Sequence, residues 1–257
     1  MDIRAYLKEE GIEGRINGTE FEQLKASLPP DQKAELDENS SAINCDPRLI
    51  KEHYAILAKT RIFAALQGLL YEEILAHTPL IAEYIKPYQR ILDAGCGDAL
   101  KLCYYAHACP DSTFLGIDYC SEALTHATNR IKKRQLKNVE ITALDIADIK
   151  TLQQEFDCIT ATNVLHERYC TGFDCGYETW VQDLATGIQA LSEVLSPDGK
   201  LLFTLHFNDD YNKECVTDYK INRALKKAGL IVETQEDITF NHFDHQKING
   251  LWICRKQ

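Results

Sequence analysis

The chain has 257 residues, enough for one large domain or for one domain with a helical appendage. With 45% apolar and 26% charged residues it has the composition of a soluble globular protein, and no run approaches the roughly 20 apolar residues that a membrane span needs. Its formal net charge of −11 argues against DNA or RNA as a partner, because binding to a phosphate backbone needs clustered Lys and Arg.

The N-terminal residues and the cysteines indicate the compartment. The first segment, MDIRAYLKEEGIEGR, is charged and lacks the apolar stretch of a secretory signal. The ten cysteines contain no CxxC pair, and several lie in apolar patterns where a free thiol behaves as a small hydrophobe. We therefore expect a cytoplasmic protein with reduced thiols, no metal site and no membrane partner.

Residues 1–88 contain no convincing strand and are predicted to form an N-terminal helical cap or lid. Breaks are expected at GIEGRING, LPPD and SSAINCDP, and Thr19 followed by Glu22 resembles a capping box. Between residues 47 and 85 apolar residues recur at three-and-four spacing, which predicts one or two long amphipathic helices.

From residue 89 to residue 257 the pattern predicts an α/β domain. Seven short apolar runs are separated, among the first six, by helical stretches, which is typical of a mostly parallel sheet with helices on both faces. Too little chain precedes the last run for a helical crossover, so we expect an antiparallel edge strand there. The basic run RIKKRQLK (130–137) is expected to be the solvated end of a helix. The predicted strands are RILDA, TFLGID, VEITALD, FDCITAT, KLLFTLHF, LIVETQED and NGLWICRK.

The segment RILDAGCGDALKL (90–102) joins the first strand to the first helix of this domain. Gly95 and Gly97 form the turn, where backbone without a Cβ lets a ligand approach, and ligands of open α/β sheets bind at this end of the strands. A dinucleotide site needs a third glycine, but Leu100 stands there. The acids Asp93 and Asp98 repel a pyrophosphate and favour a ligand that carries an ammonium and a sulfonium.

An acid lies about 20 residues beyond the glycines, where an α/β nucleotide site places the carboxylate that accepts from a ribose diol. That acid is Asp118. The alternative for a lone Asp at a strand end is the N-cap of the next helix.

These segments together resemble the class I S-adenosylmethionine-dependent methyltransferases. ILDAGCGDA resembles their motif I, with Ala99 in place of the usual last glycine, a departure that we expect to be mild because alanine fits a helix–strand packing position. FLGIDYCSEAL, ITALDIADI, FDCITATNVLHE and LSEVLSPDGKLLFTLH resemble the following motifs in the same order. The resemblance covers roughly residues 88–257, and residues 1–88 resemble no family that we can name.

The resemblance implies a Rossmann-like fold and S-adenosyl-L-methionine as the cofactor. Asp118 would hold both ribose hydroxyls, with Tyr119 beside the adenine. Asp145 would accept from the adenine amino group, unless it caps the next helix, and Ile146 would pack on the ring. The implied cofactor-binding residues are Asp93, Ala94, Gly95, Cys96, Gly97, Asp118, Tyr119, Asp145, Ile146 and Asn163.

Candidates for the chemistry follow the fourth and fifth strands. His166 is the first choice for a base and Glu167 the second, because a histidine titrates near neutral pH. Alternatively, His166 closes the turn, and Glu167 binds an amine or pairs with an arginine. His206 is a third candidate, or it only packs over the cofactor.

Two further segments leave alternatives open. The loop 168–180 is long and aromatic, and it either covers a substrate or packs on itself. HFDH (242–245) holds two histidines, but in a connection between strands it does not predict a metal.

The function expected from these residues and from the resemblance is methyl transfer to an O or N atom of a small-molecule acceptor. One alternative is a protein methyltransferase that uses residues 1–88 as its docking surface. Another is a non-catalytic regulatory protein that binds the cofactor.

Overall fold

The computed structural model describes residues 1–43, 50–60, 62–87, 89–165, 177–207, 220–242 and 245–257. Its seven strands form one sheet in the order β3-β2-β1-β4-β5-β7-β6. Strands β1 to β5 pair in parallel, and β7 is antiparallel to both β5 and β6. The strands are β1 (Arg90–Ala94), β2 (Thr113–Asp118), β3 (Val139–Ala143), β4 (Phe156–Thr162), β5 (Leu195–Phe207), β6 (Leu230–His242) and β7 (His245–Lys256).

The last strand is antiparallel as predicted, but the prediction that it forms the edge is wrong. It inserts between β5 and β6, so that β6 is the edge. Leu251, Trp252, Ile253 and Cys254 follow one another in β7 and are all fully buried. Because successive side chains of a strand point to opposite faces, such a run needs cover on both faces, which an interior position provides.

Helices cover both faces of this sheet. Within the described residues none is long and apolar enough to cross a membrane. They are α1 (Ile3–Glu9), α2 (Gly18–Ala26), α3 (Pro30–Ile43), α4 (Ile50–Ala58), α5 (Ala65–Leu69), α6 (Tyr71–Tyr84), α7 (Leu100–Ala108), α8 (Ser121–Lys133), a 3-10 helix (Ile146–Leu152), α9 (Tyr177–Glu193) and α10 (Asn222–Lys227).

The N-terminal helices are shorter than the sequence predicts. The expected one or two long helices of residues 47–85 are three, α4, α5 and α6. The capping box that opens α2 lies two residues earlier than predicted: Asn17 accepts from the Glu20 N–H at 2.9 Å, and the Glu20 carboxylate accepts from the Asn17 N–H at 2.8 Å. Asn is a stronger N-cap than Thr, which favours this start.

Among the described residues the core consists of three apolar clusters. The 3-10 helix, α9 and α10 pack on one face of the sheet, and α1, α6, α7 and α8 pack on the other. Helices α1 and α6 therefore share a cluster with the α/β domain, through residues such as Tyr6 and Ile81. The third cluster joins α2 to α5 to the start of α8 at Cys120 and Ala123. The part of the N-terminal region that stands over the sheet ends is thus α2 to α5.

Part of the basic run 130–137 is not solvated, contrary to the prediction. The Arg130 Nε and Arg134 Nη2 atoms lie 2.9 and 2.6 Å from the Glu10 carboxylate, whose side chain is only 4% exposed. Lys132 and Lys133 are exposed, as expected for a helix end. The two arginines thus fasten α1 to α8.

Candidate cofactor and active site

A cavity of about 440 Å³ opens at the carboxyl ends of β1, β2, β4 and β5. The sheet side of its wall brings together the glycine turn, the end of β2 and the end of β4, which are far apart in sequence. The other side is formed by the N-terminal helices. From the sheet side it is lined by Asp93, Gly95, Cys96, Gly97, Asp98, Leu100, Lys101, Asp118, Tyr119, Cys120, Ala123, Thr162, Asn163, Val164 and His206.

The two glycines of the turn serve different purposes. Both have positive φ, +73° at Gly95 and +54° at Gly97. A Cβ on Gly97 would meet no other described atom within 4 Å, so this backbone is open to a ligand. A Cβ on Gly95 would lie 2.2 Å from Cγ2 of Val164. The glycine at 95 is therefore required by packing against the segment after β4, and Gly97 is the one that a ligand can approach.

Asp118 is fixed in the wall by two backbone amides. Its Oδ2 accepts from the Gly97 N–H at 2.8 Å, and its Oδ1 accepts from the Cys120 N–H at 2.8 Å. Burial raises the pKa of Asp118, and these two hydrogen bonds oppose that rise. The N-cap position of α8 belongs to Cys120, so the alternative that Asp118 is that cap is not what the structure shows. Each oxygen keeps a lone pair for a hydroxyl donor.

Asp93 and Asp98 differ in their environments. Asp93 is 3% exposed and accepts from the Thr160 hydroxyl at 2.7 Å. Burial raises its pKa from 3.8 to about 6, and the charge of Asp118 adds to the rise. Such a carboxylate gains stability from a cationic ligand group.

Asp98, in contrast, is paired. Its Oδ2 lies 2.8 Å from Arg130 Nη1, and its Oδ1 accepts from the Leu100 N–H at 3.2 Å and from the Gln67 amide at 3.3 Å. Its charge is therefore compensated within the protein. Of the two acids at the turn, Asp93 and not Asp98 is therefore the one that repels an anion.

Ala99 stands where the resembled motif has glycine, and the replacement costs free energy because of the backbone conformation at this position. It is fully buried and precedes α7 with φ +59° and ψ +24°, the left-handed conformation. An L-residue there costs about 1–2 kcal/mol relative to its ordinary conformations, which glycine avoids. The replacement of glycine by Ala99 is therefore less mild than the room for a methyl group alone predicts.

Three of the predicted cofactor residues do not line the cavity. Ala94 and Ile146 are buried in the core beside the sheet. Asp145 accepts from the Ala147 N–H at 2.8 Å and caps the 3-10 helix, the alternative that the sequence left open. A contact of these residues with adenine stays a prediction.

A buried carboxylate that the motifs do not predict lies beside the cavity. Glu73 of α6 is fully buried, and its Oε2 lies 2.8 Å from Asn163 Nδ2 and 2.9 Å from His206 Nε2. Its Oε1 lies 3.2 Å from Lys101 Nζ. The signal in the sequence is a charged residue on the apolar stripe of a helix, since Glu73 shares a face with His77 and Ile81.

Asn163 has a structural role in this group. Its φ is +60°, and its Oδ1 accepts from the Thr204 hydroxyl at 2.7 Å and from Asn249 Nδ2 at 3.3 Å. Its amide therefore joins β4, β5, β7 and α6, although the residue also lines the cavity. A direct contact with the cofactor stays a prediction.

The predicted catalytic residues His166 and Glu167 lie outside the described residues, as does most of the aromatic loop 168–180. The backbones of His242 and His245 lie opposite each other where β6 pairs with β7. In the described part of the chain no three His, Cys, Asp or Glu residues are grouped as metal ligands.

Six cysteines of the described part of the chain are free and buried: Cys96, Cys103, Cys109, Cys120, Cys158 and Cys254.

Solved structures with this fold include several methyltransferases. The N-methyltransferase NodS from Bradyrhizobium japonicum, in complex with S-adenosyl-L-homocysteine, is 16% identical with a TM-score of 0.60, over 80% of this chain and 98% of that one. Magnesium protoporphyrin IX methyltransferase from Synechocystis, with bound S-adenosylmethionine, is 13% identical with a TM-score of 0.56, over 77% and 86%. The [4+2]-cyclase SpnF is 17% identical with a TM-score of 0.57, over 70% and 79%.

The relatives found by sequence match over less than half of this chain. An uncharacterised protein from Synechococcus is 31% identical over 113 residues, which are 44% of this chain and 24% of that protein. One from Rickettsia prowazekii is 30% identical over 110 residues, 43% and 40% of the two chains. The chain thus spans less than half the length of each of these relatives.

A family model described as a methyltransferase domain matches residues 85–246, well over half of the chain. The matched range contains all seven strands except most of β7, together with the glycine turn and Asp118. The chain therefore belongs to the methyltransferase-domain family, and its fold is that of the class I S-adenosylmethionine-dependent methyltransferases.

Proposed function

We propose that this protein transfers a methyl group from S-adenosylmethionine to an O or N atom of a small-molecule acceptor. The observation that carries the proposal is the cavity in which the glycine turn, Asp118 and the end of β4 meet beneath the N-terminal helices. The fold alone does not carry it, because the similar [4+2]-cyclase performs a different reaction.

The residues in the cavity suit this cofactor. Gly97 offers open backbone, Asp118 offers carboxylate lone pairs to a diol, and Asp93 offers a buried acid to an ammonium. The cofactor would supply an electrophilic methyl group on a sulfonium. The protein would hold the two reactants in line and exclude water.

The wall opposite the sheet supports a small and largely apolar acceptor. Helices α2 to α5 and their connections cover the cavity with apolar side chains, and a polypeptide acceptor would need an open groove instead. Polar groups on this wall are Glu22, Lys25, His53 and Gln67. The apolar ones are Phe21, Leu36, Tyr54, Leu57, Phe63, Leu66, Leu69 and Leu70.

Within residues 1–88, helices α2 to α5 are proposed to act as a lid over the α/β domain of residues 89–257, whereas α1 and α6 pack into the core of that domain. Helices α2 to α5, which form the outer wall, pack on the domain through the third apolar cluster and a few polar contacts, such as Gln67 with Asp98 at 3.3 Å, and we propose that they open and close around ligands. Limited proteolysis tests this, with cleavage between residues 28 and 50 expected to slow several-fold when S-adenosylhomocysteine is added. A cleavage rate that is indifferent to the ligand would favour a docking module and a protein acceptor.

Calorimetry with the purified chain tests cofactor binding. We expect binding of S-adenosylmethionine and S-adenosylhomocysteine but not of NAD. Asp118→Ala should weaken binding by about 1.5–3 kcal/mol, the scale of a hydrogen bond to a charged group. Asp148→Asn, at an exposed acid of the 3-10 helix, is the matched control. Binding of NAD without a response to S-adenosylhomocysteine would overturn the proposal.

Transfer of label from radiolabelled S-adenosylmethionine in a cell lysate tests the acceptor class. Label in the small-molecule fraction is the expected result, and label in the protein fraction would indicate a protein methyltransferase. Cofactor binding without label in either fraction would indicate a regulatory protein.

A further inference from the structure

The buried group around Glu73 has the arrangement of a base with an orienting carboxylate. Glu73 is completely buried, yet three donors from three other elements surround its oxygens: Lys101 at 3.2 Å, Asn163 at 2.8 Å and His206 at 2.9 Å. Burial favours the neutral acid, but these donors hold the pKa of Glu73 below its ordinary range. The group is therefore a carboxylate, and it can only accept hydrogen bonds.

This charge determines how the His206 ring is held. Nε2 faces a carboxylate oxygen, so in the neutral ring Nε2 carries the proton and Nδ1 is the basic nitrogen. The same Glu73 oxygen accepts from Asn163, whose amide is itself held by Thr204 and Asn249. The ring of Phe240 packs against the imidazole at 5.3 Å between centroids. The orientation of the ring is thus set by α6, β4 and β6 together.

His206 also lies where a methyl acceptor can reach it. The residue lines the cavity beside Asn163, at the carboxyl end of β5. We propose that His206 is a catalytic residue that takes the proton from the methyl acceptor, and that Glu73 is its positioning residue. This inference rests on the proposed function of the site.

The proposed step is balanced without a further reactant. The O–H or N–H bond of the acceptor breaks as its proton bonds to Nδ1 of His206. The electron pair left on the acceptor atom would form the bond to the methyl group as the bond between that methyl group and the sulfonium sulfur breaks. The pair of the broken bond would stay on the sulfur, and S-adenosylhomocysteine would be the leaving group. The imidazolium that results is stabilised by the Glu73 carboxylate and then releases its proton to water.

A spectroscopic experiment tests the positioning role without any acceptor. Nitrogen-15 NMR of histidine-labelled protein, loaded with S-adenosylhomocysteine, reports which ring nitrogen carries the proton, and the His206→Gln variant assigns the signal among the eight histidines. We expect the Nε2–H tautomer in the wild type and a mixture of tautomers in Glu73→Gln. A wild-type ring protonated on Nδ1 would overturn the inference.

A turnover experiment tests the catalytic role, with radiolabelled S-adenosylmethionine and a deproteinised small-molecule extract as the source of acceptor. His206→Gln should lower turnover by about 10² to 10⁴ and Glu73→Gln by about tenfold or more, with the affinity for S-adenosylhomocysteine kept within about threefold. Since Glu73→Gln leaves Lys101 without its carboxylate, the double variant Glu73→Gln with Lys101→Met guards against a folding defect. His77→Leu, buried on the same helix, is the control that should turn over normally.

Other results would count against the inference in distinguishable ways. Normal turnover of His206→Gln, with His166→Ala inactive, would assign the proton to His166 instead. Loss of S-adenosylhomocysteine binding together with turnover in both variants would make His206 and Glu73 structural. Failure of the wild type to bind S-adenosylhomocysteine would overturn the proposed function itself.

Discussion

Replacing Asp93 by Asn removes a carboxyl group that the fold buries at the cofactor cavity. Burial raises the pKa of Asp93 from 3.8 to about 6, the Asp118 charge adds to this, and the Thr160 hydrogen bond and Lys101 oppose it. Folding therefore favours the protonated form, and the wild type loses stability as the pH rises from 3.8 to about 6. The two pKa values differ by about two units, and each unit corresponds to about 1.4 kcal/mol. The free energy of unfolding is therefore lower by about 3 kcal/mol at pH 7 than it would be without the raised pKa.

The neutral amide does not incur this cost, so the Asp93→Asn protein should be the more stable one. Its Oδ1 can still accept from Thr160, as the carboxyl does at 2.7 Å. From the same two pKa values, the advantage is about 1.6 kcal/mol at pH 5 and about 3 kcal/mol at pH 7. Affinity for S-adenosylmethionine should fall about tenfold or more, because an ammonium loses its anionic partner.

Urea unfolding of the ligand-free protein at pH 5 and pH 7 measures both the size and the pH dependence of the effect. Asp111→Asn, at an exposed acid, is the control and should stay within about 0.5 kcal/mol of the wild type. An Asp93→Asn protein that is less stable than the wild type at pH 7, or an advantage equal at both pH values, would refute the argument from burial.

Three further substitutions test the local geometry by urea unfolding. Ala99→Gly should stabilise by about 1 kcal/mol by relieving the left-handed backbone, whereas Ala106→Gly within α7 should destabilise by a similar amount; equal effects would contradict this. Gly95→Ala should cost about 2 kcal/mol or more, because its Cβ would lie 2.2 Å from Val164, and Val164→Ala should recover part of the loss. His77→Leu should stabilise the protein by about 1 kcal/mol, since neither ring nitrogen of the buried His77 has a hydrogen-bond partner among the described residues. Burial lowers the pKa of His77 to about 4, so folding favours the neutral ring and this advantage should grow as the pH falls below 6.5.

The local pattern of the sequence was sufficient to predict the elements of the α/β domain. All seven strands overlap the predicted apolar runs, although β5, β6 and β7 extend further than predicted. The interior strands have a continuous apolar pattern because they are buried on both faces. The glycine turn and Asp118 were also predictable, since a turn at the end of the first strand and an acid at the end of the second follow from residue type and spacing alone. Asp118 is the last residue of β2, as that spacing predicts, and its contact with a ribose stays a prediction.

The tertiary structure decided what depends on contacts between distant residues. Glu73 contacts His206, which lies 133 positions later in the chain, and Asn163, which lies 90 positions later. The periodicity of α6 does not specify those partners. Likewise Arg130 neutralises Asp98, and β7 enters the sheet between β5 and β6, because charges and strand edges are satisfied by whatever the fold brings near. Hydrophobic spacing encodes which face of an element is buried, but the partner on that face is set by how all the elements pack together.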